Sequence, residues 1–135
     1  MSDAGDNLNW KKIWDDRYYL ILETLKVLAD ANYQRAQWSD SGPNTAVEYY
    51  CMLFDDYKIE EFATEGYAVV GLPTEYRDAL MSYAKHLDDF MQPDKNKYAG
   101  PDALLATAEW QGLVREAGGL VRVLPSLDAL HDAAG

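Results

Sequence analysis

Any chemistry in this chain would have to come from two histidines, one cysteine and a large set of carboxylates. His86 and His131 lie far apart, and neither sits in an HExxH, CxxC or Glu-x-x-His spacing. No zinc or di-iron site is therefore expected. The acidic stretch "DDYKIEEFATEG" lacks the alternating oxygen ligands and central glycine of a calcium loop. Cys51 falls in "EYYCMLF", where a thiol packs as a small hydrophobe rather than acting as a nucleophile. His86, beside Leu87 and Asp89, has no serine or cysteine partner in view and reads as a surface residue. There is no GxSxG, P-loop or GxGxxG. The carboxylate pairs Asp15-Asp16, Asp55-Asp56, Glu60-Glu61 and Asp88-Asp89 are adjacent in sequence. On a helix, neighbours point a quarter-turn or more apart, so none of these pairs is an acid–base dyad by itself. The expectation is a chain with no catalytic residue, no metal site and no cofactor, and hence not an enzyme.

What the residues do offer is charge. Acidic residues number 23 against 12 Lys plus Arg, a net charge of −11. That sign repels nucleic acid and anionic lipid and draws in a basic protein. Between Glu48 and Glu65 the imbalance is sharpest. Glu48, Asp55, Asp56, Glu60, Glu61 and Glu65 face one base, Lys58, with Tyr49, Tyr50, Tyr57, Phe62 and Tyr67 interleaved. Carboxylates steer and pair with Arg or Lys, while tyrosines supply rigid contact area. Glu48, Tyr49, Asp55, Asp56, Tyr57, Glu60, Glu61 and Glu65 are accordingly the candidate partner-binding residues. The competing reading makes the aromatics core and the acids ordinary solvent-facing charge.

These residues must be held by helices. Trp14, Tyr18, Ile21, Leu25 and Leu28 recur in steps of four and three, predicting an amphipathic helix from about Leu8 to about Ala29. Residues 1–7 read as a frayed polar start, and Asp30 ends the helix or begins the next turn. Residues 31–38 predict a short helix, and "SDSGPN" a chain break at Gly42 and Pro43. Asn44 and Thr45 are both candidate caps for a helix with the stripe Val47, Tyr50, Cys51, Phe54 and Tyr57. Residues 62–73, "FATEGYAVVGLP", read as a loop because of two glycines and a β-branched pair, with a short extended piece as the alternative. Thr74 is expected to cap a helix with the stripe Tyr76, Leu80, Tyr83, Leu87 and Phe90, flanked by Ala84 and Met91. Pro101 or Asp102 starts a short turn through Leu105. Thr107 caps the last long helix, with the stripe Trp110, Leu113, Val114, Ala117, Val121 and Leu124. Gly118-Gly119 weakens that helix and invites a kink or close packing. The tail from residue 125 is expected to be partly helical. The fold class is all-α: one domain over residues 1–135, a compact bundle of about four main amphipathic helices plus one or two short ones, with 1–7 and 125–135 flexible or peripheral.

The segment "ANYQRAQWSDSG" joins the first two long helices. As a helix it places Ala31, Gln34, Arg35 and Trp38 on one face and turns Tyr33 elsewhere. Trp38 is expected as a core anchor. Arg35 is expected to pair with Asp55 or Asp56 and latch this corner to the next helix.

The words "LADANYQRAQW", "LFDDY" and "EWQGLVREAGGL" together resemble a family of small bacterial proteins of the actinomycete type, with YQ…W, FDD and W…V…A motifs. The matching positions are Leu25, Leu28, Tyr33, Gln34, Trp38, Phe54, Asp55, Asp56, Gly71, Trp110, Val114 and Ala117, within residues 20–124. The extension "NLNWKKIWDD" is longer and richer in Trp than that pattern. The resemblance implies a small helical cytoplasmic bacterial protein. The family carries no established activity, so it supplies no catalytic residue.

The remaining expectations concern function. The single cysteine precludes a disulfide within the chain, no run reaches the length of a membrane span, and "MSDAGDNLNWKK" is unlike a signal peptide. A cytoplasmic protein with no membrane and no nucleic-acid partner is expected. The functional expectation is a non-enzymatic binding protein, an immunity protein or antitoxin-like inhibitor that neutralises a basic, nuclease-type toxin. The alternative is a ligand-binding or enzymatic domain with an interhelical pocket near Tyr33, Gln34, Arg35, Trp38, Asp55 and Asp56. An oligomerising accessory protein is a third possibility.

Overall fold

The stripe beginning at Trp14 sets the architecture. A computed structural model of the chain describes the backbone of residues 3–38 and 45–134, and the side chains of 10–38 and 45–133. Among them no strand occurs. Helix α1 (Asp3–Leu28) buries Trp14, Tyr18, Ile21, Leu25 and Leu28, the five residues of its predicted stripe. It begins at Asp3 rather than near Leu8, so residues 3–7, expected as frayed, are helical. The expected break at 39–44, with Gly42, Pro43 and the Asn44 cap, lies outside the described residues.

Asp30 caps α2 (Ala31–Gln37), its carboxylate accepting from Tyr33 N at 2.9 Å. Of the predicted face, Gln34 and Trp38 are buried and Arg35 is exposed. The expected pairing of Arg35 with Asp55 or Asp56 is not formed; its guanidinium donates to Asn32 Oδ1, within its own helix. The latch is Gln34. Its Nε2 donates to Val27 O at 2.9 Å and Leu28 O at 3.1 Å, and its Oε1 accepts from Trp110 Nε1 at 3.0 Å. A neutral amide can donate and accept in a dry site without carrying a charge into it.

Helix α3 (Thr45–Cys51) is prolonged by a wider π turn, Met52–Asp56, closed by Tyr57 N donating to Met52 O at 2.8 Å. Its inward residues are Ala46 and Leu53, not the predicted stripe. Val47, Tyr50, Cys51, Phe54 and Tyr57 are each half-buried, so the Cys51 thiol is less enclosed than expected. The helix is turned by roughly a quarter-turn, which keeps the tyrosine hydroxyls at the solvent edge, where polar partners are available.

Residues 62–73, expected as a loop or short extended piece, are largely helical. Helix α4 covers 59–70, with Phe62–Gly66 as a π-helical stretch between Ile59–Glu61 and Tyr67–Val70. The two glycines that suggest a loop have separate jobs. A Cβ at Gly66 would come within 2.4 Å of the Trp14 indole, so this position is bare because α1 packs on it. Gly71, at φ +85°, ends the helix: its N–H donates to Ala68 O at 3.2 Å, and Leu72 N to Tyr67 O at 2.8 Å.

Helix α5 (Thr74–Met91) buries Leu80, Tyr83, Ala84, Leu87 and Met91. Its cap is Pro73, whose carbonyl accepts from Tyr76 N and Arg77 N, rather than the expected Thr74 side chain. Two short helices follow, α6 (Asp94–Lys97) and α7 (Pro101–Leu105). Thr107 then caps α8 (Ala108–Val123), accepting from Trp110 N at 3.2 Å. Trp110, Leu113, Ala117, Leu120 and Leu124 are buried along it, while Val114 and Val121 are half-buried. The helix runs unbroken through Gly118 and Gly119, where an added Cβ would approach only the guanidinium of Arg122, at 3.8 and 3.9 Å. They therefore serve neither a break nor close packing.

Helix α9 (Leu127–Ala134) returns to α1. Tyr18 Oη donates to Pro125 O at 2.6 Å, Leu130 is buried, and His131 Nε2 lies 3.3 Å from Asp15 Oδ2. Helix α8 packs against both α1 and α5, and α4 closes the side where Trp14 and Phe62 meet, 6.1 Å between ring centroids.

Candidate partner-binding surface

The acidic span is carried by α3 and α4, and the bend between them is at Lys58. Lys58 is the one non-glycine residue with positive φ (+53°) among the described residues. This left-handed corner lets the chain reverse without a glycine. Its Nζ donates to Asp55 O at 3.3 Å and stands 4.0 Å from Glu61 Oε2.

Glu48, Asp55, Asp56, Glu60, Glu61 and Glu65 are all exposed. Of the six, only Glu61 has an ion-pair partner among the described residues, the distant Lys58. Helix α1 is organised differently. Its Asp15, Asp16 and Glu23 are each held by a lysine one turn away, at 3.1, 3.0 and 2.7 Å. Among the described side chains, negative charge is thus compensated locally at Asp15, Asp16 and Glu23 of α1 and left largely uncompensated on α3 and α4.

The aromatics of the span divide between core and surface. Phe62 is fully buried and stacks on Tyr18 at 5.3 Å. Tyr49 is half-buried, its ring stacked on Trp38 at 6.0 Å. Burial raises its hydroxyl pKa, with Tyr33 adding to the effect. Tyr57 is half-buried. Tyr50 donates to Asp88 Oδ1 on α5, and Gln92 Nε2 donates to the same oxygen at 2.8 Å. Burial first, and Asp88 second, raise the Tyr50 pKa. Tyr67 lies under the Arg77 guanidinium at 4.8 Å.

Glu61 and Glu65 open onto a groove of about 590 Å³ that the acidic pattern alone did not reveal. Its apolar wall is Trp10, Trp14 and Val69, and Arg17 and Lys58 complete it. Trp10 is 52% exposed, stacked on Trp14 at 6.3 Å, and Arg17 lies 4.7 Å from the Trp14 ring. Glu48, Tyr49, Asp55, Asp56, Tyr57 and Glu60 do not line this groove. The signal for Trp10 was in the sequence: it precedes Trp14 by four, one turn up the same face, beyond the end of the bundle's core.

The residues suggested for an interhelical pocket do not share one. Arg35 lines a recess of about 240 Å³ with Trp110 and Val114, and Tyr33, Trp38, Asp55 and Asp56 are absent from its walls. A larger cleft, about 620 Å³, lies elsewhere, between the end of α5 and the start of α8. Among the described residues no group of three or more His, Cys, Asp or Glu is arranged to hold a metal ion. No helix among them is long and apolar enough to cross a membrane.

No protein-family model, curated protein or solved structure matches the chain.

Proposed function

We propose that this chain is a non-enzymatic binding protein for a basic protein partner, acting in the bacterial cytoplasm as an immunity protein or antitoxin-like inhibitor of a basic toxin. The observation that carries the reading is the contrast in charge compensation. Asp15, Asp16 and Glu23 of α1 are paired with lysines, whereas the carboxylates of α3 and α4 stand exposed with one distant cation among them. Unpaired exposed carboxylates keep their full attraction for an incoming cation, because no internal partner has to be displaced. Beside them, Trp10 and Val69 offer apolar contact area at the groove rim. Charge then steers and orients, while the indole supplies a contact that excludes water. On a basic nuclease, such a face would occupy the surface that otherwise holds the phosphate backbone.

The test is titration calorimetry with the basic protein encoded beside this chain's gene, at low and high salt. The expected result is a complex whose affinity falls steeply with salt. The triple charge reversal Glu60→Lys, Glu61→Lys and Glu65→Lys should abolish it, with each exposed site changing stability by less than about 0.5 kcal/mol. Absence of a complex at low salt overturns the pairing. A complex indifferent to both salt and charge reversal overturns the electrostatic account.

A further inference from the structure

We propose that the recess where α2 and α7 meet the start of α8 binds a small organic carboxylate, its charge held by Arg35 and Arg115 and its apolar stem resting on Leu105 and Val114. The site lies apart from the acidic span and its adjoining groove, and the inference does not rest on the protein-partner reading. The recess measures about 240 Å³, below the usual range of clefts for drug-sized ligands, so its occupant is small.

The sign of the occupant follows from the lining. Arg35 and Arg115 are the charged residues of the wall, and no carboxylate belongs to it. In a chain with 23 acids against 12 Lys plus Arg, partners for cations are abundant. Lys11, Lys12, Lys26, Lys58, Lys85 and Arg77 each have one. Arg35 donates instead to a neutral acceptor, Asn32 Oδ1, which occupies one of its five N–H groups. Arg115 has no ion-pair partner among the described residues. The acids adjoining the recess in sequence are committed elsewhere. Asp30 accepts from Tyr33 N at 2.9 Å as the cap of α2, and Glu116 lies 3.0 Å from His86 Nδ1 on α5. Two positive charges from separate helices therefore meet at one recess with nothing of opposite sign between them. Both are arginines, whose planar fork matches the two oxygens of a carboxylate.

The remaining lining sets the stem. Leu105 and Val114 are half-buried, so an apolar group laid on them removes their exposed surface from water. The walls are fixed. Gln111 Nε2 donates to Leu105 O at 3.2 Å, tying α7 to α8, and the Trp110 indole is held by its bond to Gln34 at 3.0 Å.

The test is a titration of the full chain with sodium benzoate at constant ionic strength, followed by amide NMR shifts. Benzamide is the neutral isostere, and inorganic phosphate is an anion with no stem. Saturable shifts at Arg35, Leu105 and Val114 are expected with benzoate, and both controls should bind at least about tenfold more weakly. Arg35→Gln and Arg115→Gln alter exposed side chains, so each should keep the native Tm and weaken benzoate about tenfold. Equal binding of benzoate and benzamide overturns the proposal, as does phosphate binding as tightly as benzoate. So does native affinity in Arg115→Gln, a response centred away from α2, α7 and α8, or no saturable shift up to about 10 mM benzoate.

Discussion

Replacing Gln34 by alanine should destabilise the chain more than any other single change in α2. Gln34 is fully buried, and Trp110, its partner, is 2% exposed. The substitution removes three hydrogen bonds, to Val27 O, Leu28 O and Trp110 Nε1. At roughly 1 kcal/mol each these contribute about 3 kcal/mol. Val27 O keeps a second donor, Asp30 N at 3.1 Å, which trims that sum. The indole N–H is then left buried without an acceptor, a penalty of about 1–3 kcal/mol that partly overlaps the lost bond. A total near 4 kcal/mol follows, or a fall in Tm of about 15 °C for a chain of this size. Urea unfolding followed by tryptophan fluorescence reads it directly, because Trp110 and Trp38 stand 6.0 Å apart between centroids. Arg35→Ala is the control. Its side chain is exposed and bonded within its own helix, so the expected change is below about 0.5 kcal/mol. A double cycle of Gln34→Met with Trp110→Phe should return a coupling of about 1–2 kcal/mol. A Gln34→Ala cost below about 1 kcal/mol, or an equal cost for Arg35→Ala, would refute the latch.

The glycines give opposite expectations: Gly66→Ala should cost about 2–3 kcal/mol by driving a methyl into Trp14, whereas Gly119→Ala should stabilise by about 0.5–1 kcal/mol, both read by thermal unfolding. Equal signs at the two positions would undo the packing argument. Trp10→Ala should leave Tm nearly unchanged, because the ring is half exposed, yet weaken a basic partner by about 2 kcal/mol, roughly thirtyfold in Kd by calorimetry. Alkaline pH should unfold the protein. Burial raises the hydroxyl pKa of Tyr18, Tyr50 and Tyr83 above the ordinary 10.0, so the folded chain keeps protons that the unfolded chain releases. Their contribution is complete below about pH 10 and is lost as pH rises above it, and Tm measured from pH 8 to 12 should turn downward near 10. Tyr83→Phe should flatten that descent, and a level profile in the native protein would contradict the assignment.

The three long helices were readable in the residues themselves. An apolar stripe with period 3.6 is a local property, and the stripes of α1, α5 and α8 point inward largely as their spacing predicts. Leu120 was the omission on α8, hidden by the run of small and branched residues around it. Punctuation was less secure. Thr107 caps α8 as its hydroxyl suggests, but Thr74 yields to Pro73, one residue earlier. The exposure of all six acids of the span was also legible, since carboxylates without partners stay in water.

Composition and periodicity by themselves determined an acidic all-α chain, its three principal helices and the faces they bury. Tertiary structure alone decided which polar side chain locks α2 in place, how α3 is rotated, and why Gly66 belongs inside a helix. It also decided that Trp10 meets Glu61 and Glu65, and that Arg35 and Arg115 share a recess. The physical reason is range. Periodicity records how a segment faces an interior, and each residue carries that preference with its neighbours in the chain. A hydrogen bond between Gln34 and Trp110, or an indole resting on Gly66, depends on elements distant in sequence, and it exists only once those elements have packed.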